Sequence, residues 1–295
     1  KKWYLKNFRR LPWRGNKKDP NYPYKILVSE FMLQQTGVKT VIPYFENFIA
    51  KWPDISSLAK ASENEILKYW QGLGYYSRGR NLLKTAQIIN IDYNGIIPSN
   101  LDDLLSLPGI GEYASAAIRS IAFDKKATVI DGNVKRVIAR FFALNGKLKD
   151  NEKDISSLAK YLTPNKGNAN YSQAIMELGA LICRPKQSNC SDCVVSHNCL
   201  SLKKGLVSKI PEAKNQINKK NLRCVSFLAI NKSNSVLITK RKNENLLKDM
   251  WQLPSSEWIS QDNNNKLLSQ APFKAKWSEQ GRKINYKFSH INLLN

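Results

Sequence analysis

The sequence predicts a mainly α chain that ends in a smaller α+β portion. Three observations carry that prediction. Apolar residues recur at helical spacing from Lys25 to Phe142, and alternating runs of β-branched residues are scarce there. After a Lys-rich stretch, Leu202 to Leu222, which holds Pro211 and little apolar periodicity, the pattern changes to short strand-like runs. The chain has 295 residues, 42% of them hydrophobic, enough for two or three packed domains.

The first element to justify is the helix from Ile26 to Thr36. Its spacing sets Glu30 among Ile26, Leu27 and Leu33, a carboxylate on an apolar stripe. Burial there would raise its pKa and keep it protonated near neutrality, the state a proton donor needs. Next, Leu101–Ser106, Leu107-Pro108-Gly109-Ile110-Gly111 and Glu112–Ala122 read as helix, tight turn, helix. Two glycines one residue apart let another chain approach the backbone, and the unpaired N–H groups opening the second helix suit an anion. Asp131 precedes Val134, Val137, Ile138, Phe141 and Phe142, a helical apolar face, so it is expected to cap that helix in its ionised form. Further helices are expected over Asp154–Leu162 and Tyr171–Ile182, and Cys224–Ile230 with Ser235–Lys240 read as a hairpin around Asn231 to Asn234.

Charge and cysteines bound the partners. Lysine and arginine outnumber aspartate and glutamate 47 to 23, a net charge of +24, which points to a polyanion in preference to solvated helix faces or an anionic membrane. No run reaches the ~20 apolar residues of a membrane span, and Lys1 to Trp13 lacks an export signal's apolar core, so an intracellular site, cytoplasm or nucleoid, is expected. Cys183, Cys190, Cys193 and Cys199 form a C-x6-C-x2-C-x5-C pattern too tight for an ordinary disulfide framework. A [4Fe-4S] cluster suits the two longer loops; a zinc ion with four cysteine ligands is the alternative, though such sites usually pair two short knuckles. Cys224 reads as a small core residue.

Taken together, the Leu107–Gly111 turn, the aspartate in Val129-Ile130-Asp131-Gly132-Asn133-Val134 and the cysteine loop resemble the endonuclease III superfamily of DNA glycosylases. Members that also cut the strand carry a lysine two residues after the second hairpin glycine, where this chain has Tyr113, which offers no amine for an imine. The chain is thus similar to the MutY family of adenine DNA glycosylases. That resemblance implies a helix-hairpin-helix fold of two helical subdomains with an iron-sulfur cluster, followed by a Nudix-like domain. The expected boundaries are 1–14 with 124–203 for the cluster subdomain, 15–123 for a six-helix-barrel-like subdomain, 204–221 for a linker and 222–295 for the last domain.

The same resemblance implies site roles. Glu30 matches the acid that protonates the departing adenine, Asp131 the carboxylate that stabilises or captures the sugar cation, and Tyr113 the active-site tyrosine. Gln35 and Tyr75 match the family's intercalating residues, Thr36 and Leu73 are expected to bind DNA beside them, and Gly109 and Gly111 to hold a phosphate. Trp13, Arg14 and Gln173 match the lining of the adenine pocket. Phe288-Ser289-His290 matches the loop that senses 8-oxoguanine, and Leu237 to Lys242 leading to Met250 to Pro254 resembles the Nudix-like domain without its glutamate-rich metal box. The implied partner is double-stranded DNA with an adenine mispair, bound by a monomer. The chain departs from the family by extra residues between Arg14 and Tyr24, expected to displace Arg14, and by stopping at Asn295, so that either a fragment or a shortened last domain is expected. A thymine mismatch glycosylase, an endonuclease III-like lyase or a non-enzymatic iron-sulfur DNA-binding protein would share the hairpin and the cysteines; the last has no need of Glu30 and Asp131.

Overall fold

The computed structural model describes residues 2–213, 220–241, 250–260, 267–279, 281, 284–287 and 291–294, and divides into two units, Lys1–Ala213 and Lys214–Asn295. The first unit is helical: α1 (Lys2–Asn7), α2 (Tyr22–Leu33), α3 (Val38–Lys51), α4 (Ile55–Ala59), α5 (Glu63–Trp70), α6 (Ser77–Asp92), α7 (Leu101–Ser106), α8 (Glu112–Phe123), α9 (Gly132–Phe141), α10 (Glu152–Leu162), α11 (Asn168–Glu177) and α12 (Leu200–Lys203). A 3-10 turn at Pro12–Arg14 precedes α2, and a π turn at Leu178–Ile182 extends α11. No helix among the described residues is long and apolar enough to cross a membrane.

Local chemistry sets the helix ends. Asp54 and Ser62 each form a capping box, accepting from Ser57 N and Glu65 N, and Asn100 caps α7. Asp131 caps α9 as the sequence predicts, its Oδ1 accepting from Val134 N at 2.7 Å. The helix expected to run to Thr36 instead stops at Leu33, because Gln35 takes a left-handed φ of 58° and Arg78 from α6 takes up the freed carbonyls of Met32 and Gln34.

Two hydrophobic cores lie within this unit. The larger gathers Ile26, Leu27 and Phe31 of α2 with Phe48, Trp70, Leu82, Leu104 and Ile118. The smaller joins Val134, Ile138 and Ala139 of α9 to Ile155, Ala159 and Ile210. Helix α8 packs on α2 and on α11, so residues at its first turn stand over the junction of those helices.

The second unit is built from β1 (Lys220–Arg223), β2 (Thr239–Lys240), β3 (Trp251–Gln252), β4 (Ile259–Ser260), β5 (Asn285–Lys287) and β6 (Ile291–Leu294). One sheet has the order β4-β1-β6-β5, with β1 parallel to β6 and antiparallel to β4; β2 and β3 form an antiparallel pair. The expected hairpin is reduced to its turn. Asn231 N donates to Ser235 O and Asn234 has a φ of 57°; beyond the turn, Leu237 N donates to Ala229 O at 2.9 Å around the isolated Ile230–Val236 bridge, short of two continuous strands. Strand β1 begins at Lys220, before the expected strand. Its backbone pairs on both sides, which outweighs a sequence without apolar alternation.

Candidate active site

Four elements of the helical unit converge on Glu30. It lies in the middle of α2, only 5% exposed, and its Oε2 has no hydrogen-bond partner. Burial pushes its pKa up from 4.5 to about 7; a hydrogen bond from Tyr113 opposes that rise, the charge of Asp131 adds to it, and Arg14 opposes it. An unpaired carboxyl oxygen inside an apolar wall is costly unless the group is neutral, so the protonated form is the one the fold favours.

Tyr113 stands in the first turn of α8, just past the hairpin, with its hydroxyl 3.8 Å from Met176 Sδ. Burial, then the charges of Glu30 and Asp131, hold the phenol well above its ordinary pKa, so it stays a donor. Asp131 is held at the start of α9 by Val134 N and by Asn133 Nδ2, the latter at 2.8 Å. Its charge reaches both Glu30 and Tyr113. One carboxyl is thus buried without an ionic partner, and the other sits at a helix N-terminus.

The floor of the site includes a residue the sequence reading missed. Glu177 ends α11, wholly buried, and receives Arg9 through both carboxylate oxygens at 2.8–3.0 Å and Arg14 at 2.7 Å. Its signal was the one used for Glu30: a lone acid in the apolar run Ala174 to Ile182. Arg14 therefore has a defined seat on Glu177, with Tyr4 beneath its guanidinium at 6.0 Å, despite the extra residues that follow it. Trp13 is buried edge-on against Phe45 at 5.3 Å, and Gln173 is buried with Nε2 donating to Ala169 O at 3.0 Å. Nearby Asn168 is fully buried with both amide atoms unpartnered.

The hairpin glycines differ. Gly109 has a φ of 80°, and a Cβ there would come within 2.8 Å of Asn81 Cβ and 2.9 Å of Phe31 Cε1. At Gly111, which opens α8, nothing lies within 4 Å of the Cβ position, so its backbone faces free space. Gln35 and Tyr75 are both exposed and both left-handed, with φ of 58° and 46°, while Thr36 is half-buried and Leu73 buried. Phe288, Ser289 and His290 lie outside the described residues.

All four cysteines of the cluster motif line one cavity of about 30 Å³ with Val137, Arg140 and Leu178. Burial and the other cysteines' charges push the thiols of Cys190 and Cys193 up. Arg140 donates to Cys183 Sγ at 3.4 Å and to the carbonyls of Arg184 and Pro185, so a fixed cation faces the sulfurs. Among the described residues no three His, Cys, Asp or Glu side chains converge on a single ion's position. Cys224, as expected, is a buried thiol in the second unit.

Comparison with known proteins comes from three directions. Residues 28–164 match the family described as HhH-GPD superfamily base excision DNA repair protein. The chain is 36% identical over 297 residues to the adenine DNA glycosylase of Buchnera aphidicola subsp. Baizongia pistaciae, covering 99% of this chain and 78% of that protein. Among solved structures, a thermostable thymine-DNA glycosylase superposes with a TM-score of 0.61 at 31% identity, over 69% of this chain and 93% of its own. An endonuclease III–DNA complex shares the fold, with a TM-score of 0.55 at 22% identity over 62% and 86% of the two chains.

Proposed function

The chain belongs to the adenine DNA glycosylase family of base excision DNA repair enzymes, and we propose that it hydrolyses the N-glycosidic bond of adenine mispaired with 8-oxoguanine or guanine, releasing the base without cutting the strand. One observation carries the proposal: Glu30, buried with its pKa pushed to about 7, feels the charge of an acid capping another helix.

The chemistry follows from that pair. An adenine extruded from the stack would take the Glu30 proton on its imidazole ring, so the C1′–N9 bond breaks with its electron pair leaving on a neutral base. The positive charge then left on the deoxyribose is stabilised, or captured covalently, by the Asp131 carboxylate. Water completes the reaction at C1′, and its proton passes to Glu30, now ionised and able to accept it. Tyr113 keeps Glu30 oriented by donating to it. Arg14, seated on Glu177, places a cation and a carboxylate beside Trp13 and Gln173, the residues assigned to the adenine pocket. Open space at Gly111 supports its assignment to a phosphate.

The four cysteines fit the family's [4Fe-4S] cluster: four thiols on one cavity, with the Arg140 guanidinium against Cys183 Sγ. When bound, the cluster would cross-link the 183–199 loop and, through Arg140, tie it to α9, the helix that Asp131 caps. Cys193→Ser should lose visible absorbance together with iron and sulfide; retained absorbance would reject Cys193 as a ligand. The second unit we assign to a Nudix-like role, reading the base opposite the adenine.

The deciding experiment is single-turnover base release by the purified chain from duplexes with adenine opposite 8-oxoguanine, with thymine mispairs alongside because one similar structure is a thymine-DNA glycosylase. Adenine release without strand scission before alkali is expected. Thymine release, or direct nicking, would reject the assignment.

A further inference from the structure

The sequence places Arg78 one residue into α6, where an exposed arginine would be unremarkable. Instead it is buried. Its Nη1 donates to the carbonyl oxygens of Phe31 and Met32, at 3.2 and 2.7 Å, and to that of Gln34. Its Nη2 donates to Thr36 Oγ1 at 3.0 Å and to the carbonyls of Leu73 and Gly74, each at 3.1 Å. Four of these six acceptors belong to the end of α2 and the loop after it, and two to the loop that precedes α6. The flat guanidinium also lies between two rings, Trp70 at 5.5 Å and Tyr75 at 5.4 Å.

Gln35 sits between two of these acceptors, Gln34 and Thr36, and Tyr75 directly follows a third, Gly74. Both hold a left-handed backbone that side-chain-bearing residues adopt rarely, and a conformation of that kind persists only where its surroundings over-determine it. The second loop is braced from behind as well: Tyr44 Oη donates to Gln71 O at 2.9 Å. The backbone on either side of Gln35 and just before Tyr75 is therefore bonded to one shared cation.

We infer that Arg78 is a positioning residue that joins the 34–37 and 72–76 loops into one rigid wedge, so that Gln35 and Tyr75 meet the duplex in a fixed relative geometry. The inference rests on the reading that these two side chains enter the duplex. A lysine could not replace it, since three N–H donors on one nitrogen cannot serve the six acceptors that two guanidinium nitrogens reach. With the loops unlinked, each would be ordered separately at the moment of base extrusion, and that ordering would slow opening of the stack more than it weakens contact with phosphates.

Two measurements test this. In a Glu30→Gln background, which halts turnover, a duplex with 2-aminopurine beside the adenine should brighten as the stack opens. Arg78→Lys should slow that rise about tenfold at equal occupancy, with duplex affinity, read by anisotropy, within about threefold of its parent. A rise at the parental rate would overturn the inference, and no rise in either protein would sink the reading of Gln35 and Tyr75 as wedges. The second measurement needs no DNA. Thr36→Val removes one acceptor on the first loop only, so hydrogen exchange should quicken in both 34–37 and 72–76; quickening confined to 34–37 would show that the loops are not coupled.

Discussion

Replacing Glu30 with glutamine should make the protein more stable at alkaline pH while ending base release. The carboxyl is ordinary in the unfolded chain, at 4.5, and is raised to about 7 in the fold, chiefly by burial. Below the lower value both states hold the proton, and the acid contributes nothing to pH dependence. Between the two values the unfolded chain gives up its proton and the folded one keeps it, so wild-type stability falls as pH rises; above the upper value the whole cost is present. A displacement of roughly 2.5 on the pH scale corresponds to about 3 kcal/mol. Glutamine cannot ionise and escapes that cost, though its amide brings a penalty of about 1–3 kcal/mol if left unpaired. That penalty does not vary with pH, so the informative quantity is the change in the gap between the two proteins. Thermal unfolding at about pH 5 and about pH 8 should show the mutant gaining on the order of 5–10 °C relative to wild type at the higher pH. All other titrating groups are shared and cancel. A gap in Tm that stays constant between the two conditions would refute a buried, neutral Glu30.

Single-turnover base release by the wild-type chain should fall as pH rises through about 7, where Glu30 loses its proton; a rate that climbs through that range would exclude Glu30 as the acid. Asp131→Asn should lower base release by about a thousandfold or more, yet change folding stability by less than about 0.5 kcal/mol, because asparagine caps a helix as well as aspartate does. Unfolding and turnover measured on one preparation separate the two roles. Gly109→Ala should destabilise the fold by about 1–3 kcal/mol, since the new methyl meets Asn81 and Phe31 on a left-handed backbone. Gly111→Ala should fold normally and lose about tenfold in duplex affinity; urea unfolding with anisotropy titrations reads both, and unchanged affinity for Gly111→Ala would dismiss the phosphate assignment.

What the sequence made legible followed from patterns with a single physical cause. An acid among Ile26, Leu27 and Leu33 is buried, and it is. An aspartate ahead of an apolar helical face caps it, and Asp131 does. A Pro-Gly-x-Gly turn between helices places α8, with Tyr113 in its first turn, over α2. The residues that escaped notice are cations and an acid whose burial depends on partners far along the chain. Arg78 needs carbonyls from two loops, of which periodicity within its own segment carries no trace; Glu177 showed locally as a lone acid in an apolar run, but its partners Arg9 and Arg14 lie far along the chain. The end of α2 was misplaced for the same reason, because Gln34 and Thr36 suit a helix until a cation on α6 takes their oxygens. In the second unit, pairing across distant strands overrode local alternation, as at β1.

The Arg9–Glu177 pair joins positions 168 residues apart, and that separation bears on when activity can arise. During synthesis Glu30, Tyr113 and Asp131 all emerge before the carboxylate that neutralises Arg9 and Arg14. Until α11 leaves the ribosome, Arg9 and Arg14 lack the carboxylate that both engage in the folded chain. Glu30 and Asp131 are thus both synthesised before the ion pairs that tie Arg9 and Arg14 to α11 can form, so base release is expected only once α11 has been made.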